Sequence, residues 1–177
     1  MSYRTGPAGR TDGPPHGPER AEVLTRQIAA ALAAAGHTVA VAESLTAGRL
    51  AAAMADAPGA GETFLGGVVA YATEVKEAVL GVDAELLAAT GAVHPDVAVQ
   101  MAQGVRDVLG ATYGLATTGV AGPAGQDGRA PGTVYVAVAG PRGSRAAAPA
   151  LRGAEPDAVR TGALLAALQL LHDALRP

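Results

Sequence analysis

Three side chains in this sequence have the types and the spacing that nucleophilic catalysis without a metal requires. Ser44 follows a short apolar run, VAVAE, and precedes a stretch of small, helix-forming residues. Tyr71 ends a second apolar run, and Lys76 follows five residues later. A serine whose proton is taken by a neutral lysine is a known nucleophile–base pair, and a tyrosine can relay the proton or donate to an oxyanion. The three residues together indicate acyl-transfer chemistry.

Each of these residues also has a purely structural interpretation. A serine or threonine at a strand-to-helix junction is most often a helix N-cap, which suits Ser44 or Thr46. Most lysines of globular proteins are solvated surface charges, but Lys76 is the only lysine among 13 basic residues. A buried lysine can lose its proton, whereas an arginine effectively cannot. The use of lysine at this one position favours a base.

A Gly/Pro-rich loop follows the predicted strand that ends at Thr117 and Thr118, and it reads GVAGPAGQDGRAPG. A strand that runs into such a loop can present backbone N–H groups to a phosphate, although the spacing matches neither the P-loop nor the GxGxxG fingerprint. One of the two threonine side chains can point into a site at the carboxyl edge of the sheet. The alternative is an irregular connection without a function.

The composition argues against several other classes of protein. The sequence has no cysteine, which excludes disulfides, thiol catalysis and Cys-ligated metals. None of its four histidines pairs at a metal-ligand spacing. The net charge of −3 and the lack of a basic run argue against nucleic-acid binding. No signal-peptide core and no run of about 18 strongly apolar residues is present. We therefore expect a cytoplasmic protein with no metal, no cofactor and no membrane or nucleic-acid partner.

The elements that must position these residues can be predicted from hydrophobic periodicity and from Gly/Pro signals. Residues 1–20 are rich in Gly and Pro and predict a disordered tail, so the folded domain is expected at 21–177. Helices are predicted within 22–36, 45–59, 73–81, 83–91, 94–111 and 155–175. Strands are predicted within 37–42, 64–74, 112–120, 132–140 and 144–153, the last two as a hairpin. This order predicts an α/β fold, a three-layer α/β/α sandwich with a mixed sheet.

Four segments together resemble one known family, the CinA C-terminal domain, which includes the nicotinamide-mononucleotide amidohydrolases. They have the order and spacing of that family: AESLTAG (42–48), GGVVAYATEVKEAVLGV (66–82), GAVHPDVA (91–98) and ATTGVAGPAGQDGRAPGTVYVAV (116–138). The resemblance covers about residues 21–175. It implies the same three-layer α/β/α fold, and it implies a homo-oligomer.

The resemblance also implies an activity, the hydrolysis of nicotinamide mononucleotide to nicotinate mononucleotide and ammonia in pyridine-nucleotide salvage. It implies Ser44 as the nucleophile and Lys76 as the general base, with Tyr71 bridging them. Thr118 and the helix N-terminus beyond Ser44 would stabilise the oxyanion or the substrate. The remaining implied substrate contacts are Thr46, Gly119 and Gly122.

The sequence departs from the family pattern at three places. Ala47 stands where a glycine is usual, and His94 stands where a serine is usual. Near the C-terminus Gly153-Ala154-Glu155 replaces a G-D-R element, so that Arg152 or Arg160 would have to supply the missing cation. Two other functions therefore stay open: a nucleotide-binding domain without catalysis, and a hydrolase of a related amide or ester.

Overall fold

Seven helices and five strands form the part of the chain that the computed structural model describes, residues 17–176. Residues 1–16 of the predicted tail and Pro177 lie outside this range. The strands are β1 (Val39–Glu43), β2 (Phe64–Val69), β3 (Tyr113–Gly119), β4 (Val134–Gly140) and β5 (Gly143–Ala147). The helices are α1 (Gly17–Ala35), α2 (Arg49–Ala55), α3 (Ala60–Thr63), α4 (Thr73–Leu80), α5 (Ala84–Thr90), α6 (Pro95–Leu109) and α7 (Pro156–Leu175).

The five strands form one mixed sheet in the order β2-β1-β3-β4-β5. β1 lies parallel to both β2 and β3, whereas β3–β4 and β4–β5 are antiparallel. Because the three parallel strands all end at the same edge of the sheet, the residues that follow them are brought together. The segments that begin at Ser44, Ala70 and Val120 therefore meet at this edge.

Helices cover both faces of the sheet, which confirms the predicted three-layer α/β/α architecture. One core, built around α1, α2 and α7, takes the side chains of Val39 and Val41 from β1. The other core, built around α4, α5 and α6, takes the alternating Ala40 and Ala42. Alanine, valine and leucine dominate both cores, as expected for a chain with 3% aromatic residues.

The glycine pair of β2 lies where the strand approaches its neighbour closely. The register between β1 and β2 shifts between Val39 and Ala40, so that one extra residue stands in β2. A Cβ atom on Gly67 would lie 2.5 Å from Cγ2 of Val41. The Gly66-Gly67 pair therefore lies at a bulge and at a close approach between the two strands.

Several predicted boundaries are wrong. The strand predicted within 64–74 ends at Val69, and the strand predicted within 144–153 ends at Ala147. α1 begins at Gly17, so residues 17–20, predicted as tail, are helical. α2 begins at Arg49 rather than at residue 45, because residues 45–48 form a turn.

Candidate active site

Ser44 continues β1 by one residue, and the alternation of the strand determines the face on which its side chain lies. The N–H of Ser44 donates to the carbonyl of Thr117 in β3 at 3.0 Å, so the ladder extends past the last strand residue. Since Ala40 and Ala42 point towards the α4–α6 layer, Ser44 is on that same face. Ser44 is 8% exposed, and its hydroxyl has no hydrogen-bond partner among the described residues.

Glu43, not Ser44, caps the helix that follows. Its fully buried carboxylate accepts hydrogen bonds from the backbone N–H groups of Gly48 at 3.0 Å, Leu50 at 3.0 Å and Ala51 at 2.7 Å. These are the donors that the start of a helix leaves without intrahelical partners. The N-terminus of α2 is therefore occupied by Glu43, and the predicted use of this helix end to stabilise an oxyanion is wrong.

Replacing Glu43 with alanine should lower the free energy of unfolding by about 3–5 kcal/mol, because three N–H groups would lose a charged acceptor in a buried position. Urea denaturation of the wild type and E43A measures this difference. Glu62→Ala is the matched control, since Glu62 is an exposed carboxylate in the first turn of α3. A loss of less than about 1 kcal/mol in E43A would show that the cap contributes little.

A cleft of 240 Å³ opens beside Ser44 at the carboxyl edge of the parallel strands. Its lining includes Ser44 and Leu45 after β1, Tyr71 after β2, and Arg160 from α7. The backbone of the Gly-rich loop completes the lining through Gly119, Val120, Ala121, Gly122, Ala124, Gly125 and Gln126. Of the seven residues predicted for the site, the cleft brings together Ser44, Tyr71, Gly119 and Gly122.

Gly119 shows why the start of this loop has no side chain. A Cβ atom at this position would lie 2.6 Å from the carbonyl oxygen of Thr133 and 2.9 Å from Cα of Val134. These atoms belong to the backbone, which cannot give way as a flexible side chain can. The glycine therefore lets the loop leave β3 while it stays against β4.

Lys76 is almost completely buried, with 1% of its surface exposed, next to the end of β2. Its Nζ atom donates to the carbonyls of Ala70 at 2.7 Å and Tyr71 at 3.2 Å. An ammonium group has three N–H donors, so these two bonds leave one position on Nζ. That position holds a proton when the lysine is charged and a lone pair when it is neutral.

The hydrogen-bond ladder relates the contacts of Lys76 to the position of Ser44. The N–H of Ala70 donates to the carbonyl of Glu43 at 2.8 Å, so the parallel register sets Ala70 beside Ser44. If the ladder continued, the carbonyl of Ala70 would accept from the N–H of Leu45. The ladder ends here: this carbonyl accepts from Lys76, and the N–H of Leu45 has no acceptor among the described residues.

Burial lowers the pKa of Lys76 from 10.5 to about 8, because a charged amine loses hydration inside the protein. Two carboxylates, Glu74 and Asp127, act in the opposite direction and raise this pKa. A fraction of the amine is therefore neutral near pH 7, and the neutral fraction grows as the pH rises through about 8. This is the property that a general base needs.

The structure does not join Ser44, Tyr71 and Lys76 through side-chain hydrogen bonds among the described residues. The side chain of Tyr71 is at the mouth of the cleft and the residue is 66% exposed, and only its backbone carbonyl contacts Lys76. Catalytic contacts are often longer before a substrate binds, so this arrangement is compatible with a base that reaches Ser44 in the complex.

Thr46 and Thr118, the two threonines predicted to contact the substrate, form hydrogen bonds within the protein beside the site. The hydroxyl of Thr46 is fully buried and lies 2.7 Å from the hydroxyl of Thr117. The hydroxyl of Thr118 donates to the carbonyl of Ala92 at 2.7 Å. Neither residue is part of the cleft lining, and each hydroxyl has a partner within the protein.

A short hairpin interrupts the Gly-rich loop, which the sequence predicted to be irregular. The backbones of Gln126 and Arg129 exchange two hydrogen bonds, of 3.1 Å and 2.8 Å. Asp127 and Gly128 form the turn, with φ values of 50° and 71°. An Asp-Gly pair with two positive φ values is typical of a two-residue type I′ turn.

Among residues 17–176, Arg160 is the one charged side chain that lines the cleft. Of the two arginines that the sequence left open as the substitute cation, Arg152 and Arg160, it is therefore the one placed at the site. Its Nε donates to the carbonyl of Leu45 at 3.1 Å, and the guanidinium edge beyond remains for an anion. Arg152 lies in the lining of a different cavity, next to Thr133 and Tyr135. The other departures are outside the cleft lining: Nδ1 of His94 caps α6 at 3.3 Å, and Glu155 is the N-cap residue of α7.

Ala47 is in the turn after Ser44 and has a φ of 50°, the left-handed region that favours glycine. This explains in backbone terms why a glycine is usual in the family motif at this position. The substitution affects the backbone conformation of the turn, since the alanine side chain itself is exposed.

Within residues 17–176, no group of three or more His, Asp or Glu side chains is placed to hold a metal ion. In the same range, every helix is too short or too polar to cross a membrane.

Comparison with known sequences matches this chain to one family. The sequence profile of the CinA C-terminal domain matches residues 21–175. A CinA-like protein of Frankia casuarinae is 53% identical over 135 residues, which cover 76% of this chain and 31% of the relative. A CinA-like protein of Anaeromyxobacter sp. is 49% identical over 159 residues, covering 89% of this chain and 39% of the relative. The chain thus spans about a third of the length of these curated relatives.

Among solved structures, the competence/damage inducible protein CihA of Agrobacterium tumefaciens has a similar fold. It superimposes with a TM-score of 0.84 at 31% sequence identity, covering 89% of this chain and 96% of that one. The five-stranded mixed sheet and its helical layers therefore match a solved member of the same group.

Proposed function

Because the chain belongs to the family of the CinA C-terminal domain, we propose that it is an amidohydrolase that converts nicotinamide mononucleotide to nicotinate mononucleotide and ammonia. The observation that carries this proposal is a buried lysine with a lowered pKa next to the strand end from which Ser44 faces a cleft. A desolvated amine beside a serine supplies the base and the nucleophile of an acyl transfer.

In the proposed reaction, Oγ of Ser44 attacks the carboxamide carbon while its proton passes to the neutral amine of Lys76. The C–N bond of the resulting tetrahedral oxyanion then breaks, and Lys76 returns the proton to the departing nitrogen, which leaves as ammonia. Water next attacks the Ser44 ester and gives a proton to Lys76. The bond between Oγ and the acyl carbon then breaks, and Lys76 returns its proton to Oγ, which restores the serine hydroxyl. The product acid loses its own proton to solvent and leaves as the carboxylate.

The N–H of Leu45 replaces the helix N-terminus as the proposed oxyanion donor. It belongs to the residue after the nucleophile, a position from which backbone N–H groups stabilise oxyanions in other serine hydrolases. The carbonyl that this N–H would meet in a continued ladder accepts from Lys76, and the N–H itself has no acceptor among the described residues, so the donor is available. In this proposal the end of the ladder leaves an oxyanion donor next to the nucleophile.

The remaining cleft residues suit the other parts of the substrate. Tyr71 is at the mouth, and on substrate binding its hydroxyl would reach between Ser44 and Lys76 to relay the proton. Arg160 is the proposed partner of the phosphate, because a guanidinium binds phosphate through two parallel hydrogen bonds. Gly119 and Gly122 would present backbone to the nucleotide.

A panel of three amides tests this proposal: nicotinamide mononucleotide, its riboside without the phosphate, and free nicotinamide. We expect rapid conversion of the mononucleotide, with kcat/KM at least about 100-fold lower for the riboside because a charge-assisted bidentate contact is lost. Equal rates for the first two would argue for a related amide as the substrate. Tight binding of the mononucleotide in calorimetry without turnover would instead support a nucleotide-binding domain.

We also propose that the chain forms a homodimer through β2. In the described part of the chain this strand pairs only with β1, and it is an outer strand of the sheet with Leu65 45% and Val69 49% exposed. Residues 63–73 carry no charge, so two copies can pair about a two-fold axis without opposing like charges. Light scattering after size exclusion should give the mass of a dimer, and the mass of a single chain at micromolar concentration would refute the proposal.

A further inference from the structure

We propose that Asp127 is a positioning residue of the candidate active site: it anchors the Gly-rich loop to the Gly91-Ala92 segment and so holds a negative charge in the surroundings of Lys76. This inference rests on the proposed role of Lys76 as the general base. Asp127 is not among the residues to which the proposed function gives a role in catalysis or substrate binding.

The anchor is a contact between the hairpin turn and the connection from α5 to α6. Oδ2 of Asp127 accepts a hydrogen bond from the N–H of Ala92 at 3.3 Å. A Cβ atom on Gly91 would lie 2.8 Å from Cβ of Asp127, so the two segments touch at a position where only glycine fits. The turn is therefore held against this connection by a hydrogen bond and by direct packing.

The same connection is held from the other side by the end of β3. Thr118 donates to the carbonyl of Ala92 at 2.7 Å, so both backbone groups of Ala92 are bonded to segments that flank the cleft. The Gly-rich loop begins directly after Thr118 and returns to the same residue at Asp127. Ala92 thus joins the start of the loop to its tip, and the cleft backbone from Gly119 to Gln126 lies between these two attachments.

The charge of Asp127 acts on Lys76 from outside the helix that carries the lysine. Glu74 on α4 and Asp127 on the hairpin are the two carboxylates that raise the pKa of Lys76. The neighbouring α6 buries only apolar residues, and α5 buries only Leu87, within the described part of the chain. When Lys76 takes the serine proton it becomes an ammonium, and the negative charge of Asp127 stabilises it, as the acid of a catalytic triad stabilises an imidazolium.

Two substitutions separate the charge from the anchor. Asp127→Asn removes the charge but keeps an oxygen that can accept from Ala92, and Asn-Gly suits the same type I′ turn. Asp127→Gly removes the charge and the acceptor, while Gly-Gly still permits the positive φ values of the turn. Glu74→Gln is the positive control for a lost charge, and Asp56→Asn, an exposed carboxylate at the end of α2, is the negative control.

The chain offers a direct readout, because Lys76 is its only lysine. Protein labelled with ¹³C-lysine gives a single ε-carbon resonance, whose titration follows Lys76 without any substrate. In D127N and D127G we expect its midpoint to move to lower pH by about 0.5. Amide exchange of Ala92 should stay as slow as in the wild type in D127N and become at least about tenfold faster in D127G.

A structural role alone would change the exchange of Ala92 but not the lysine titration of D127N. An unchanged midpoint in D127N therefore overturns the inference, and so does unchanged exchange in D127G. Neither measurement requires turnover, so a failure of the proposed amidohydrolase activity would be recorded separately. Where the activity is present, the acid limb of the pH–rate profile of D127N should move with the lysine midpoint.

Discussion

Replacing Ser44 with alanine should lower kcat for nicotinate mononucleotide formation by at least about 10⁴-fold, because the substitution removes the atom that forms the acyl bond. The protein should stay folded. The Ser44 hydroxyl has no hydrogen-bond partner among the described residues, so its loss leaves no buried group without a partner there. The unfolding free energy of S44A should lie within about 0.5 kcal/mol of the wild type.

Ser144→Ala is the matched control, since Ser144 is the other serine of the described chain and is exposed on β5, where it bonds to Gln103. Its rate should equal that of the wild type. A rate for S44A within tenfold of the wild type would remove Ser44 as the nucleophile. The alternative would then be direct attack of water on the amide in the same cleft.

Replacing Lys76 with methionine should lower kcat by at least about 10³-fold and abolish the pH dependence of the wild type near pH 8. The wild-type rate should rise about tenfold per pH unit below pH 8 and level off above it, because only the neutral amine accepts a proton. Methionine has a similar length and no charge, so it fills the buried space without the cost of burying an ammonium.

The stability of K76M provides an independent check on the same pKa. The folded protein holds the Lys76 proton less tightly than the unfolded chain does, so wild-type stability should rise relative to K76M between about pH 8 and 10.5. The pKa difference corresponds to roughly 3 kcal/mol over this window. A wild-type rate that is flat from pH 6 to 9 would contradict the role of Lys76, as would a K76M variant with near-wild-type activity.

The parts of the site that follow from strand order were predictable from the sequence. Ser44 and Tyr71 follow strands that periodicity identifies, Thr118 lies near the end of a third, and parallel strands bring their ends to one edge of the sheet. The lone lysine among 13 basic residues indicated a special position for Lys76, and its burial is consistent with that interpretation. The cleft next to Ser44 lies at the predicted edge.

The parts that depend on contacts between a side chain and another segment of the chain were not predictable in this way. Glu43 lies shortly before a predicted helix, but nothing in the spacing shows that its carboxylate reaches five to eight residues ahead to cap α2. This contact explains why α2 begins late and why its N-terminus is not available to a substrate. Arg160 is 116 residues from Ser44 in sequence, and only the packing of α7 brings it to the cleft.

The Gly-rich loop shows the same difference between local and non-local information. Its Asp127-Gly128 pair is a local hairpin signal, which the surrounding glycines and prolines obscured. The attachment of this turn to Ala92, however, joins residues 35 positions apart. Sequence periodicity therefore located the loop, whereas its anchorage required the tertiary structure.

The most direct test of the proposed amidohydrolase function is ammonia release from nicotinamide mononucleotide by the purified wild-type chain, with S44A assayed alongside. We expect one ammonia for each nicotinate mononucleotide formed, at a rate that S44A lowers by at least about 10⁴-fold. If the wild type releases no ammonia above the S44A background, the amidohydrolase assignment is contradicted.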